Sequence, residues 1–254
     1  MAGPVIKEKL LFVSSWFCPF AQRTWLALNE KRVDYEYYEM SLKDPTTNQW
    51  YQLGEKPKWF LDLNPLGKVP VLAYKEGDET HCVYESLICN EFLEEYSPKE
   101  QPLLPDHPVA KAKSRIIIDS FSSKFVPLFY RILLRQDKES QKEAAEGMLA
   151  ELRQLEQKID PEGPFFQGKQ MTLVDCALLP WFLRMSILQH YRNFAIPEDC
   201  PHLVRWTQDM EQLPAVKETQ KAPEGGSSYD EQLLFHYQRY ADASAKSTSA
   251  RDFK

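Results

Sequence analysis

Residues 9–23 read Lys9-Leu-Leu-Phe-Val-Ser-Ser-Trp-Phe-Cys-Pro-Phe-Ala-Gln-Arg23, and secondary structure is expected to change within this stretch. The apolar run before Ser14 is typical of a short buried strand. Proline is favoured at the first position of a helix, and apolar residues recur after Pro19, so a helix is predicted over residues 19–31. Cys18 therefore lies between a predicted strand and a predicted helix.

The segments that follow extend this unit into a small mixed sheet. Aromatic or aliphatic residues alternate with acidic ones over residues 33–37, which predicts a half-buried strand. Residues 68–74 and 79–84 are predicted to form two strands around the turn Glu76-Gly77-Asp78. Residues 85–96 return to helical spacing. A strand–helix–strand unit requires a parallel pair and a hairpin adds an antiparallel edge, so this half is predicted to be an α/β domain.

A proline-rich segment separates this half from one of different character. Four prolines over residues 98–108 predict an extended linker, because proline lacks an amide proton and restricts its predecessor. The pattern beyond them favours helices over strands. The predicted helices cover residues 109–135, 140–159, 173–191 and 202–212. Pro180 lies inside the third and is expected to kink it.

The predicted domain organisation follows from these patterns. We assign an α/β domain to residues 1–97, a linker to 98–108, an all-helical domain to 109–222 and a tail to 223–254. A proline-, glycine- and serine-rich break precedes the tail, and residues 229–243 have the pattern of one more amphipathic helix. The last residues are small and polar and are expected to be disordered.

Composition and charge argue against several classes of function. The chain has 254 residues, 43% of them hydrophobic, and a net charge of −6. An acidic protein does not suit nucleic acid, because neutralising phosphates requires a basic surface. No apolar run approaches the roughly 20 residues that a membrane helix needs, and no secretory signal is recognisable. We therefore expect a soluble cytoplasmic protein with no constitutive membrane span and no nucleic-acid partner.

The cysteines indicate thiol chemistry in a reducing compartment. Their number is odd and their spacing irregular, which argues against a disulfide framework. No pair has Cys-x-x-Cys spacing and the histidines are scattered, so no metal site is expected. The five cysteines are Cys18, Cys82, Cys89, Cys176 and Cys200.

Cys18 is the candidate nucleophile. At the amino end of a helix, unpaired amides and the positive end of the helix dipole stabilise a thiolate and lower the thiol pKa. A buried core cysteine is the alternative, and the residues alone favour neither. Ala21 stands where a second cysteine would be needed to close an internal disulfide, so the thiolate is expected to form mixed disulfides with another molecule.

Three further positions have the chemistry of a peptide-binding site. A cis bond between Val69 and Pro70 would turn a backbone edge outward for an extended ligand, although an ordinary trans proline is the commoner arrangement. Ser86 and the helix amides there would hold a carboxylate and Glu85 an ammonium, with simple helix capping as the alternative. Lys56 would face an anionic ligand end, or is a solvated lysine.

Aromatic side chains in the helical half are candidates for an apolar substrate pocket. At helical spacing, such residues belong more often to the core than to a pocket. The candidates are Phe125, Phe129, Tyr130 and Trp181.

Taken together, these motifs resemble those of the soluble glutathione transferases, most closely the omega and lambda classes. The likeness covers most of residues 10–215, and its motifs occur in the family's order and at its spacing. The motifs are Phe17-Cys-Pro-Phe-Ala-Gln-Arg23, Lys56-Pro-Lys-Trp-Phe60, Asn64-Pro-Leu-Gly-Lys-Val-Pro-Val-Leu72, Val83-Tyr-Glu-Ser86, and Phe165-Phe-Gln-Gly168 leading to Pro180-Trp-Phe182.

The resemblance implies a thioredoxin-like domain that binds glutathione, followed by an all-helical domain that supplies the second-substrate pocket. It implies a mixed disulfide between Cys18 and glutathione, with Val69 before cis Pro70 pairing its backbone with the cysteinyl part. Glutathione would be a co-substrate, with no metal. The remaining glutathione contacts that it implies are Phe20, Leu53, Lys56, Glu85 and Ser86.

The implied activity is glutathione-dependent thiol transfer, including deglutathionylation and dehydroascorbate reduction. The second substrate would be small and hydrophobic or glutathionylated, and a homodimer is usual in the family. Two alternatives share the fold: a non-catalytic carrier of hydrophobic ligands, and a relative of the chloride-intracellular-channel proteins. A cysteine in place of the tyrosine or serine of other classes favours exchange over conjugation.

Overall fold

The computed structural model describes residues 3–41, 56–97, 101–221 and 228–244. These residues form two compact units, one ending at Pro102 and one starting at Leu103. Leu53 and the residues expected to be disordered from 245 onward lie outside the described ranges. None of the described helices is both long and apolar enough to cross a membrane.

The first unit is built on a four-stranded sheet. Its strands are β1 (Leu10–Ser14), β2 (Tyr35–Glu39), β3 (Val71–Glu76) and β4 (Glu79–Tyr84), in the order β2-β1-β3-β4. β1 runs parallel to β2 and antiparallel to β3, and β3 forms a hairpin with β4. The predicted strand–helix–strand unit and its antiparallel hairpin are therefore confirmed.

The described part of this unit contains three helices. They are α1 (Pro19–Glu30), α2 (Lys58–Leu63) and α3 (Ser86–Tyr96). All five residues of β1 are buried, as expected of a central strand covered on both faces. On one face Leu11, Val13 and Val71 pack with Phe60 of α2. On the other, the Phe12 ring lies 6.2 Å from that of Trp25 on α1.

The second unit is helical, as predicted. Its helices are α4 (Pro108–Ser120), α5 (Val126–Leu134), α6 (Lys138–Glu156), α7 (Leu173–Phe182), α8 (Met185–Arg192), α9 (Pro201–Glu211), α10 (Pro214–Lys217) and α11 (Tyr229–Ala241). α11 confirms the amphipathic helix predicted in the tail. The Thr172 and Asp175 side chains form a reciprocal cap at the start of α7.

Two predicted long helices are interrupted, both near a proline. A π-helical turn over Phe121–Phe125 joins α4 to α5, and Pro127 is the second residue after it. Proline has no amide proton to donate to the helix, and the wider π-helical turn accommodates this missing hydrogen bond. Pro180 was expected to kink one helix over residues 173–191, but the chain instead forms two helices, with α7 ending at Phe182.

A buried ion pair joins α1 to α3 inside the first unit. The Lys31 ammonium lies 2.6 Å from a Glu94 carboxylate oxygen and donates to the Gln101 carbonyl at 3.2 Å. The Lys31 side chain is 1% exposed and that of Glu94 12%. Removing one partner of such a pair leaves a desolvated charge that nothing neutralises.

We predict that Glu94→Ala lowers the free energy of unfolding by about 3 kcal/mol, because it strands the Lys31 ammonium. The Lys31→Met/Glu94→Leu double variant should lose much less. Asp62→Ala is the matched control, since it breaks an ion pair with Lys58 whose side chains are 58% and 86% exposed. Its expected cost is below about 1 kcal/mol. Urea denaturation measures all three, and equal losses in Glu94→Ala and Asp62→Ala would contradict the prediction.

Candidate functional site

One edge of the sheet gathers the ends of all four strands. Ser14 at the end of β1 pairs with Glu39 at the end of β2, and Val13 pairs with Val71 at the start of β3. Val71 also pairs with Tyr84 at the end of β4. The segments that leave this edge contain Cys18, Val69–Pro70 and Glu85–Ser86. The sheet therefore brings together side chains that are far apart in sequence.

Cys18 occupies the position predicted for it, at the amino end of a helix. It is the N-cap residue of α1, with φ −80° and ψ 115°, and Pro19 is the first helical residue. Its carbonyl accepts a hydrogen bond from the Gln22 amide at 3.0 Å, and its own amide donates to the Ser15 carbonyl at 2.9 Å. The residue is half-buried, and the positive end of the α1 dipole faces it.

Two contacts with the end of β2 hold the segment that precedes Cys18. The Ser15 hydroxyl donates to the Met40 carbonyl at 2.7 Å. The Trp16 amide donates to the two Glu39 carboxylate oxygens at 3.3 and 3.1 Å, and Tyr37 also donates to this carboxylate. Burial of the carboxyl group raises the pKa of Glu39, although the exposure of the residue as a whole limits this effect. Sequence patterns assigned Glu39 no role.

Lys56 interacts electrostatically with Cys18. Burial lowers the pKa of Lys56, a negative charge on Cys18 raises it, and the neighbouring Lys68 charge lowers it further. The Lys56 ammonium donates to the Gly67 carbonyl and lies 5.4 Å from the centre of the Phe60 ring. A positive charge held near Cys18 favours the thiolate form of that cysteine over the thiol.

A tight turn supports Lys56 and leads to the cis proline. The Asn64 side chain donates to the Lys68 carbonyl at 2.6 Å and accepts from the Leu66 amide at 3.0 Å. Gly67 has φ +60°, a conformation that other residues rarely adopt. The turn therefore depends on the Asn64-Pro-Leu-Gly67 part of the motif.

The Val69–Pro70 bond is cis. Residue patterns alone favoured trans, whereas the family resemblance implied cis, and the structure agrees with the resemblance. Val69 is half-buried, and its amide and carbonyl make no hydrogen bond with any residue that the structure describes. An extended peptide can use such a backbone edge as it would use a neighbouring strand.

Glu85 and Ser86 form the amino end of α3. Glu85 has φ +69° and ψ 114°, a strained conformation that typically persists only where the surrounding structure enforces it. Its carboxylate is exposed and makes no ion pair within the described ranges. Ser86 is 6% exposed, and the α3 amides of the first turn have no partner inside the helix. This end of α3 can therefore bind an anion, with an ammonium beside it.

The aromatic residues proposed for a second-substrate pocket lie in the interior of the helical unit. Phe125, Phe129 and Trp181 are 0% exposed and Tyr130 is 2% exposed. The Phe125 ring stacks on that of Phe121 at 4.5 Å. These contacts support the core alternative for the four residues, and their role in a pocket stays a prediction.

The other cysteines described alongside Cys18 are in less reactive surroundings. Cys89, Cys176 and Cys200 are buried, and Cys82 is half-buried. Burial raises the pKa of Cys82, and raises the pKa of Cys89 to about 12 and that of Cys200 to about 11. A raised pKa leaves little thiolate at neutral pH.

Comparisons with known proteins agree on one family. The model of the glutathione S-transferase N-terminal domain matches residues 17–96, and that of the C-terminal domain matches residues 89–214. The omega-1 glutathione S-transferase of Mus musculus is 35% identical over 214 residues, covering 84% of this chain and 81% of the relative.

Two solved structures extend the likeness to the fold. Glutathione transferase Omega 3C from Trametes versicolor has a TM-score of 0.74 and 35% identity, covering 93% of each chain. Rice GST1 in complex with glutathione has a TM-score of 0.76 and 26% identity, covering 93% of this chain and 98% of that one. The thioredoxin-like domain followed by a helical domain is thereby confirmed.

We predict that limiting iodoacetamide at pH 7 alkylates Cys18 first, because only the thiolate reacts. Cys18→Ser should abolish the fast phase of labelling. Cys82→Ser is the control, since Cys82 is equally half-buried but has a raised pKa, and it should leave the fast phase intact. Labelling of Cys82 should become appreciable only at alkaline pH. A fast phase that persists in Cys18→Ser would refute the prediction, and peptide mass spectrometry identifies the labelled sites.

Proposed function

The chain belongs to the glutathione S-transferase family, and on that basis we propose that it is a cysteine-type member that catalyses glutathione-dependent thiol transfer through Cys18. The observation that supports this most strongly is the residue type at the start of α1. A thiol, not a hydroxyl, caps α1, Lys56 interacts with it electrostatically, and the cis proline precedes β3 at the same edge of the sheet. A thiolate attacks disulfide sulfur, whereas a hydroxyl does not.

In the proposed reaction, the Cys18 thiolate attacks the glutathione sulfur of a glutathionylated substrate. A sulfur–sulfur bond forms between Cys18 and glutathione as the substrate disulfide breaks, and the substrate leaves as a thiolate that takes a proton from water. A second glutathione releases its thiol proton to water, and its thiolate then attacks the glutathione sulfur of the mixed disulfide. This step releases oxidised glutathione and regenerates the Cys18 thiolate, so electrons and protons balance over the cycle.

We assign the glutathione contacts by matching ligand chemistry to the sheet edge. The backbone of Val69 would pair with the cysteinyl residue. Glu85 would hold the γ-glutamyl ammonium, while the Ser86 hydroxyl and the α3 amides would hold its carboxylate. Lys56 would face the glycine carboxylate, and Phe20 would border the sulfur.

The second substrate follows from the same chemistry. We propose small glutathionylated thiols, and dehydroascorbate as a substrate that two glutathione molecules reduce to ascorbate with formation of oxidised glutathione. Glutathione is abundant in the cytosol, where thiols stay reduced, so that compartment suits the reaction.

We predict that Cys18→Ser loses disulfide exchange by about a thousandfold or more, as removal of a catalytic nucleophile does in other enzymes. Glutathione binding should persist, because the contacts at Val69, Lys56 and Ser86 remain. A hydroxyl can hydrogen-bond to the glutathione thiolate, so the variant should also gain conjugation to an aromatic electrophile.

Turnover of a small glutathione mixed disulfide, conjugation of an aromatic halide and calorimetric binding of glutathione measure the three effects. Cys82→Ser should behave like the wild type in all of them. Exchange by Cys18→Ser at the wild-type rate would show that another group is the nucleophile.

A further inference from the structure

Arg23 is a buried charged residue on α1, the helix that Cys18 caps. Arg23 is on α1, only 2% exposed, and its guanidinium carbon lies 5.6 Å from the centre of the Phe20 ring. One guanidinium nitrogen donates to the Ser86 hydroxyl oxygen at 3.5 Å. A buried guanidinium cannot lose its proton, so a fixed positive charge lies behind Ser86.

The contact with Arg23 determines how the Ser86 hydroxyl can bond. A serine hydroxyl has one donor and two acceptor positions, and a guanidinium has donors only. Arg23 therefore occupies an acceptor position of Ser86. The hydroxyl proton of Ser86 makes no hydrogen bond to any residue that the structure describes, although Ser86 is 6% exposed. A buried donor of this kind calls for an acceptor supplied by a ligand.

A second contact at Ser86 is purely structural. The Thr24 hydroxyl donates to the Ser86 carbonyl at 3.3 Å, and Thr24 is 0% exposed. This contact ties the amino end of α3 to α1 without adding charge or changing the Ser86 hydroxyl. Substitutions at Arg23 therefore test the charge and the orientation of the Ser86 hydroxyl. Substitutions at Thr24 test only the attachment of α3 to α1.

We propose that Arg23 is the residue that makes the amino end of α3 selective for a carboxylate. It keeps the Ser86 hydroxyl as a donor toward the ligand and adds a buried positive charge behind it, so an anionic group is favoured over a neutral one. Arg23 acts through Ser86 and is a positioning residue. The inference rests on the proposed function, in which this carboxylate belongs to the γ-glutamyl end of glutathione.

The test compares two ligands that differ only in this carboxylate. Glutathione carries it, and γ-aminobutyryl-cysteinylglycine has hydrogen in its place. Calorimetric dissociation constants are measured for both ligands with the wild type, Arg23→Lys, Arg23→Gln, Thr24→Val and Ser86→Ala. A hydrogen bond to a charged group predicts that the wild type prefers glutathione by about 10- to 100-fold.

The preference should fall below about threefold in Arg23→Gln and lie between these values in Arg23→Lys, where a charge remains without the guanidinium fork. Thr24→Val should keep the wild-type preference even if both affinities fall. Combining Arg23→Lys with Ser86→Ala should reduce the preference no further than Ser86→Ala alone, because Arg23 acts through that hydroxyl. This comparison still decides the matter if Arg23→Gln does not fold.

The possible failures are distinguishable. Arg23 variants that weaken both ligands equally and keep the wild-type preference would overturn this inference alone. A wild type without any preference would overturn the placement of the γ-glutamyl carboxylate in the proposed function and, with it, this inference. Binding is measured without turnover, so neither outcome depends on the role of Cys18.

Discussion

Antiparallel pairing of β1 with β3 is the constraint on which the rest of the site depends. Because Val13 pairs with Val71, the end of β1 and the start of β3 meet at one edge of the sheet. The chain leaves β1 toward Cys18 and enters β3 from cis Pro70, so Cys18 and the Val69 backbone lie at that edge. The parallel partner β2 and the hairpin partner β4 then bring Glu39 and Glu85 to the same edge.

Several features at this edge of the sheet destabilise the folded state. Glu85 has a strained backbone, and such conformations typically cost of order 1–3 kcal/mol. Arg23 is a charge removed from water, and the Ser86 hydroxyl proton has no acceptor among the described residues. A ligand carboxylate would offset part of these costs on binding, because it would accept the hydrogen bond that the Ser86 hydroxyl can donate.

Much of the first unit was predictable from local patterns, since its strands and helices are short and strongly patterned. The motif around Cys18 also predicted correctly where α1 begins, because proline is favoured at the first helical position. Interactions between distant segments were not predictable in this way. No pattern in the nearby sequence indicates the Lys31–Glu94 ion pair or the hydrogen bond from the Trp16 amide to Glu39. Arg23 offered a signal, a charge among apolar helix residues, but its partner Ser86 lies 63 residues away. For the aromatic residues of the helical unit, the helical spacing favoured a core over a pocket, and their burial agrees with a core.

The central claim is that Cys18, as a thiolate at the amino end of α1, forms a mixed disulfide with glutathione. Intact-protein mass spectrometry after incubation with oxidised glutathione tests it directly, with peptide mapping to locate the adduct. We expect a single glutathione on each wild-type chain, attached to Cys18, removable by reduced glutathione and absent from Cys18→Ser. An unmodified wild type, or an adduct on Cys82 that persists in Cys18→Ser, would contradict it.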